Sequence, residues 1–107
     1  MASRKKYLDY VLEQFDRLEG VTYWAMMGEY ILYYRGKVVG GVYDDRLLVK
    51  PVPAVRRLLP NAVEELPYEG AKPMLLVEDV EDRDLLARLL TAMEPELPAP
   101  KNRKPKK

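Results

Sequence analysis

Residues 21–50 read VTYWAMMGEYILYYRGKVVGGVYDDRLLVK, and the punctuation of this stretch decides the fold. Val, Tyr, Trp, Ile and Leu occur in short runs separated by turn formers, which is the composition of strands. The runs predict strands over Thr22–Met27, Tyr30–Tyr34, Lys37–Tyr43 and Arg46–Lys50. The links Gly28-Glu29, Arg35-Gly36 and Asp44-Asp45 are short enough to join antiparallel neighbours, so the stretch is a meander. Gly40-Gly41 falls inside the third strand, where paired glycines mark a bulge or the close approach of another backbone.

Working outward, Tyr7, Leu8, Val11, Leu12, Phe15 and Leu18 recur at spacings of one, three and four. That period predicts an amphipathic helix over residues 4–18, with Ser3 as its N-cap and Gly20 as its C′ residue. Downstream, Pro51 and Pro53 stop the sheet. Pro53 suits the first turn of a short helix through Arg57-Leu58-Leu59 that ends near Pro60. After a loop of turn formers over residues 67–73, Met74–Glu78 reads as a further strand. A last helix, capped by Asp79 or Asp82, buries Leu85, Leu86, Leu89, Leu90 and Met93 and stops by Pro95. The order helix, strands, short helix, strand, helix gives an α+β fold. Its antiparallel sheet has about five strands, with the helices packed on one face. Residues 1–94 form the expected domain, and residues 95–107, rich in Pro and Lys, an expected disordered basic tail.

Composition narrows the chemistry. The 107 residues include neither Cys nor His. Thiolate or imidazole sites for zinc, haem or iron–sulfur clusters, a Cys–His pair and a Ser–His–Asp triad are therefore unavailable to the chain, and no cofactor is expected. Of 18 Lys+Arg residues, five (Lys101, Arg103, Lys104, Lys106 and Lys107) fall in the last seven positions. The remainder carries 13 basic against 17 acidic residues, a net charge of −4. An acidic body makes a poor phosphate-binding face, so the tail is the candidate contact for DNA or other nucleic acid. Apolar runs such as Met74-Leu75-Leu76-Val77 are far shorter than the ~20 residues of a bilayer span. Asp9, Glu13 and Asp16 interrupt any leader-like segment after Arg4-Lys5-Lys6. The expectation is a cytoplasmic protein without membrane contact.

The most unusual patch joins Trp24, Met27, Gly28, Glu29 and Tyr30 to Tyr33 and Tyr34. It reads as an aromatic platform for bases, a flat ligand or another protein, or else as a sheet core with its exposed rim. Tyr30, Leu32 and Tyr34 share one face of their strand while Ile31 and Tyr33 share the other. Both faces thus carry apolar area, and the one without helices needs cover from the tail, a loop or a second subunit. A homodimer is a separate expectation, with Lys37–Tyr43 as the exposed strand. Glu78, Asp79, Glu81, Asp82 and Asp84 fit no EF-hand spacing and read as a charged helix start, not a metal site. Glu29 is the best-placed general acid, though nothing in the sequence pairs it with a second acid. Ser3, Thr22 and Thr91 lack an imidazole to activate them. No catalytic residue is assigned. A ligand pocket around Trp24, Glu29 and Tyr34 is the enzymatic alternative.

Met26-Met27-Gly28-Glu29-Tyr30-Ile31-Leu32-Tyr33-Tyr34-Arg35-Gly36-Lys37, then Asp45-Arg46-Leu47-Leu48-Val49-Lys50, then Pro67-Tyr68 with Lys72-Pro73-Met74, resemble the TfoX (Sxy) N-terminal domain family over about residues 4–94. The resemblance implies helices against an antiparallel sheet, similar to secretion-chaperone folds; full-length regulators of the family carry a second, C-terminal domain, and this chain is expected to be a stand-alone single-domain member. It also implies a regulatory or adaptor role without catalysis, exercised through a protein partner and directed at transcription. Direct nucleic-acid binding by the tail, with the tyrosines stacking bases, is the alternative.

If the tail binds nucleic acid, truncation after Pro100 abolishes binding to labelled duplex and single-stranded DNA, and added salt weakens binding by the full chain steeply. A titration of both forms at two salt concentrations checks this; equal affinities would remove the tail from consideration.

Overall fold

The computed structural model describes residues 3–98. Its sheet grows from three two-residue turns. Strands β1 (Val21–Met26), β2 (Glu29–Tyr34), β3 (Lys37–Val42) and β4 (Leu47–Val49) follow one another. Met27-Gly28, Arg35-Gly36 and Asp44-Asp45 link them, and all six of these residues have positive φ. Two successive left-handed residues make a turn whose twist matches that of the flanking strands, the usual solution for a tight hairpin. The first turn lies one residue earlier than expected from Gly28-Glu29. Gly28 takes its second position, so Glu29 opens β2 and Met27 is drawn into the turn.

The glycine pair in β3 does what its position suggested. Leu32 pairs with Gly40 but Tyr33 with Val38, so Val39 is the extra residue of a bulge. The bulge shifts the alternation, and Val39 and Val42, three residues apart, both join the core. A Cβ on Gly40 would lie 2.7 Å from the Val49 Cα and collide with the Leu48 carbonyl. On Gly41 it would meet the Tyr30 carbonyl oxygen at 2.5 Å. Only glycine lets β2 and β4 approach β3 this closely.

The sheet has six strands, antiparallel throughout, in the order β1-β2-β3-β4-β6-β5. One more strand is present than expected, because β5 is only the acidic pair Glu64–Glu65, set against β6 (Met74–Leu76). β3 is central rather than exposed. The open edge is β1.

Helices α1 (Lys5–Gln14), α2 (Pro53–Leu58) and α3 (Arg83–Met93) cover one face, and the fold is α+β as the element order implied. Leu8 and Val11 of α1, Val55 of α2 and Leu86, Leu89 and Leu90 of α3 pack in one core with Leu32, Leu47, Val49 and Leu75 of the sheet. α3 is capped by Asp82, whose carboxylate accepts the Leu85 N–H at 3.0 Å. α1 is shorter than its period suggested. Past Gln14 the chain tightens into turns that still bury Phe15. Its N-cap is Arg4, without a side-chain cap.

Residues 95–98, grouped with the tail on composition, belong to the fold. Glu94–Glu96 forms a 3₁₀ turn, Leu97 is buried, and the Glu96 carboxylate accepts the Ala54 N–H at 2.8 Å in the first turn of α2. The rest of the tail, residues 99–107, lies outside the described residues. Among the described residues no helix is long and apolar enough to cross a membrane.

The close approaches at the bulge predict that Gly40→Ala and Gly41→Ala each destabilise the fold by about 2–3 kcal/mol or more, since neither colliding backbone atom can rotate away. Denaturant unfolding checks this. A loss below about 0.5 kcal/mol at both positions would mean that the strands do not approach so closely.

Candidate functional site

Cross-strand register sorts the side chains by face. Thr22, Trp24 and Met26 of β1 stand opposite Tyr33, Ile31 and Glu29 of β2, and Tyr33 in turn stands opposite Val38 of β3. Paired residues share a face, and this one is turned away from the helices. Ile31, Tyr33 and Val38 are half-buried there, whereas Trp24 is 63% exposed. Seven large apolar side chains of the described residues are exposed, and four of them (Tyr23, Trp24, Met26 and Met27) fall within one strand and its turn. A concentration of this kind marks a surface that meets something.

The residues singled out from sequence do not all converge. Trp24, Met27 and Gly28 are exposed together at the β1–β2 end. Tyr33 joins Trp24 on the outer face. Tyr34 is buried in the core, and Tyr30 packs against that core with its ring 5.9 Å from Tyr23 in an edge-on contact. Trp24 and Tyr34 therefore lie on opposite faces of the sheet, and no single pocket can contain both with Glu29. For that reason the described residues do not form the ligand pocket of the enzymatic alternative around those three residues.

Met27 breaks a local rule. Its φ is +52°, in the left-handed region that costs a residue with a Cβ about 1 kcal/mol. It is 95% exposed, so burial does not offset that strain.

Glu29 has a structural task at the same end of the sheet. Its carboxylate accepts the Ser3 hydroxyl at 2.9 Å and the Asp44 N–H at 3.1 Å, and the Ser3 oxygen in turn accepts the Asp45 N–H at 3.0 Å. The Ser3 N–H donates to the Gly28 carbonyl at 2.9 Å. Ser3 is thus a buried tie between two hairpin turns, which is why it does not cap α1. Arg4 completes the clamp. Its N–H and guanidinium both reach Asp45, at 3.0 and 2.8 Å. The Arg4 N–H first, and then the guanidinium, hold the Asp45 carboxyl below the usual carboxylate range.

Further along the same face lies a groove of about 510 Å³ between β3–β4 and the segment following β5, walled by Val38, Tyr43, Pro51, Tyr68 and Met74, among others. Tyr43 and Tyr68 lie 6.3 Å apart, centroid to centroid, and burial, then Tyr68 and Glu29, push the Tyr43 phenol up. Lys50 and Lys72 are the charged residues of its lining. This groove had no sequence signal, since its walls come from segments far apart in the chain.

The acidic run is occupied by other work. Asp82 caps α3, Asp84 pairs with Arg17, and Glu81 accepts the Tyr10 hydroxyl at 2.5 Å. That last bond raises the Tyr10 phenol to about 12. Among the described residues, no cluster of three or more Asp or Glu is arranged to hold a metal ion. The tail cations Lys101, Arg103, Lys104, Lys106 and Lys107 lie outside the described residues.

No family model matches the chain, and no solved structure does. Over 107 residues it is 39% identical to a protein of Spirochaeta aurantia described as an uncharacterized 12.7 kDa protein in the trpE 5′ region. The match covers 99% of this chain and 93% of that one.

The clamp carries a pH signature. An acid whose folded pKa is lowered contributes stability that is present above its unfolded value, about 3.9, and is lost as pH falls through the folded one. The gap in thermal midpoint between the wild type and Asp45→Asn is therefore largest near neutrality and closes below about pH 4. A gap that stays constant on acidification would assign the effect to something other than the carboxylate charge.

Proposed function

The chain belongs to the family of that 12.7 kDa protein, and for it we propose a non-enzymatic regulatory or adaptor role in the cytoplasm, exercised by docking a protein partner on the outer face of the β1–β2 hairpin. Met27 is the observation that carries this reading. A methionine held on strained backbone and almost wholly exposed serves neither the local conformation nor the core. Such violations persist where a function requires them. Trp24 beside it is a large, stiff and amphipathic side chain of the kind that anchors protein interfaces. The groove-side aromatics extend the same apolar face toward β4. The likeness of residues 26–37 to TfoX N-terminal domains supports transcription as the process served.

Two substitutions test it. Met27→Asn creates the Asn-Gly pair that this turn type prefers, so it raises stability by about 0.5–1 kcal/mol while weakening partner capture. Trp24→Ala changes stability by about 0.5 kcal/mol or less and abolishes capture. Affinity capture from cells that express the tagged chain, with transcript profiling of a deletion strain, reads both arms. If both variants retain the same partners as the wild type, the docking surface is elsewhere.

A further inference from the structure

Among the described residues, the edge of β1 pairs with no further strand and carries none of the charges, prolines or bulges by which proteins normally protect a sheet edge. Val21–Met26 is six residues long and has no charged side chain and no proline. Its pairing with β2 is continuous from Val21 to Met26, without a bulge. The opposite edge is protected. β5 has only two residues, both glutamates, and these pair with Arg56 and Arg46. Long, uncharged and exposed strands template pairing with another chain.

Backbone polarity along β1 follows from the hairpin. The Arg35 N–H donates to the Gly20 carbonyl at 3.0 Å, which sets the phase of the ladder. Hydrogen-bonded pairs alternate along an antiparallel ladder, so Thr22, Trp24 and Met26 turn their N–H and C=O groups toward β2. Val21, Tyr23 and Ala25 turn theirs outward, three donors and three acceptors along an open edge.

We propose that this edge pairs with β1 of a second copy of the chain, antiparallel about a two-fold axis at Tyr23, joining two six-stranded sheets into one of twelve strands. A two-fold axis that makes adjacent strands antiparallel is perpendicular to the sheet, so it keeps inner face with inner face and permits only registers of one parity. Among these, the register that sets Tyr23 opposite Tyr23 and Val21 opposite Ala25 pairs all six outward N–H groups of the two strands with all six outward carbonyls. Sliding by two residues in either direction leaves two donors and two acceptors of the strands unpaired. In the centred register Trp24 of each copy stands opposite Thr22 of the other on the outer face, and no charge meets a like charge within the ladder.

The occupant is a second copy because the strand complements itself. The tail residues of this chain fit the edge badly, since Pro100 and Pro105 lack the N–H that a ladder needs and the rest are mainly cationic. The size of the contact sets its strength. Tyr23, Trp24 and Met26 are 41%, 63% and 47% exposed. Even complete burial of these three side chains, at about 200 Å² each, would remove only roughly 600 Å² from the two copies, and edge pairing covers their flanks alone, so the contact falls below the roughly 1,000 Å² of a specific interface. The dimer is accordingly weak and dissociates on dilution into about the micromolar range. Pairing uses the edge of β1 and leaves the outer face open, so it stands separately from the partner-docking reading and presents that face in duplicate.

Sedimentation of the full chain over a concentration series tests the pairing, together with amide hydrogen exchange at low and high concentration. The expected result is a reversible species of twice the 12.4 kDa chain mass, in which the amides of Val21, Tyr23 and Ala25 gain protection with concentration. The amides of Thr22, Trp24 and Met26, already bonded to β2, do not change. Ala25→Pro removes an outward donor at an edge position that tolerates proline, and Tyr23→Lys sets two ammonium groups across the axis. Each weakens dimerisation at least tenfold with an unchanged far-ultraviolet spectrum; if the proline variant fails to fold, the lysine variant decides. A chain that stays monomeric, dimers unaffected by both substitutions, or a mass that grows past two copies would each overturn the proposal. A monomeric result would leave partner capture through Trp24 and Met27 untouched, because Ala25→Pro retains both side chains.

Discussion

The close packing of three backbones at Gly40-Gly41 is the constraint on which the rest of the molecule depends. β4 and β2 come so near β3 that neither glycine has room for a methyl group, and the bulge at Val39 turns the strand there. The extra residue sends both Val39 and Val42 into the core, which puts a full apolar surface under the helices. A regular alternation would have directed one of them to the outer face. The helical layer then packs over β2, β3, β4 and β6, and β1 is left with five of its six residues exposed. The exposed edge is thus a consequence of where the helices find apolar area, and not of any weakness in β1, whose pairing with β2 is complete.

Polar contacts fix the end of the sheet that carries the exposed patch. Ser3, Glu29 and the N–H groups of Asp44 and Asp45 form one network, buried at Ser3 and open to solvent at Asp44, and tied to Gly28 through the Ser3 N–H. Hydrogen bonds of this kind are individually modest, but together they hold two turns in one geometry. That geometry presents Met27. A methionine in the left-handed region would relax in a loose turn; here Gly28 is anchored to the N-terminal segment and β2 to the β3–β4 turn. Rigidity at this point reduces the ordering cost of any contact the side chain makes.

Much of this was legible in the chain, for reasons that differ by element. Arg35-Gly36 and Asp44-Asp45 were readable as turns because Gly36 and the two aspartates tolerate positive φ, although Arg35, like Met27, is held there at a cost. The glycine pair was readable as a bulge because glycine inside a strand has few other causes. Pro53 and Asp82 mark helix starts by chemistry that is local. What escaped was set by distant partners. Ser3 looks like an N-cap, yet its hydroxyl bonds to residues 26 and 42 positions away. β5 is two glutamates whose strand character comes wholly from Met74 and Leu75 across from them. The aromatic patch divided correctly into two faces by alternation, but alternation does not tell which face the helices choose. Tyr34 therefore fell in the core while Tyr33 and Trp24 stayed outside. The order of strands, which makes β1 and not β3 the edge, depends on β4 pairing with β6 across the 24 residues between them, and nothing local reports that.

Charge placement sharpens what the open edge means. The acidic residues outnumber the basic ones before the tail, and several lie in segments bordering the sheet, yet none falls within β1. A single lysine or glutamate among its outward residues would protect the edge at little cost to a strand already exposed. The glutamates of β5 do this at the other end. An edge protected on one side and bare on the other permits a closed pair and opposes an open chain, because head-to-tail addition would have to pair β1 with the charged, two-residue β5. The same asymmetry that leaves β1 free therefore limits what it can build.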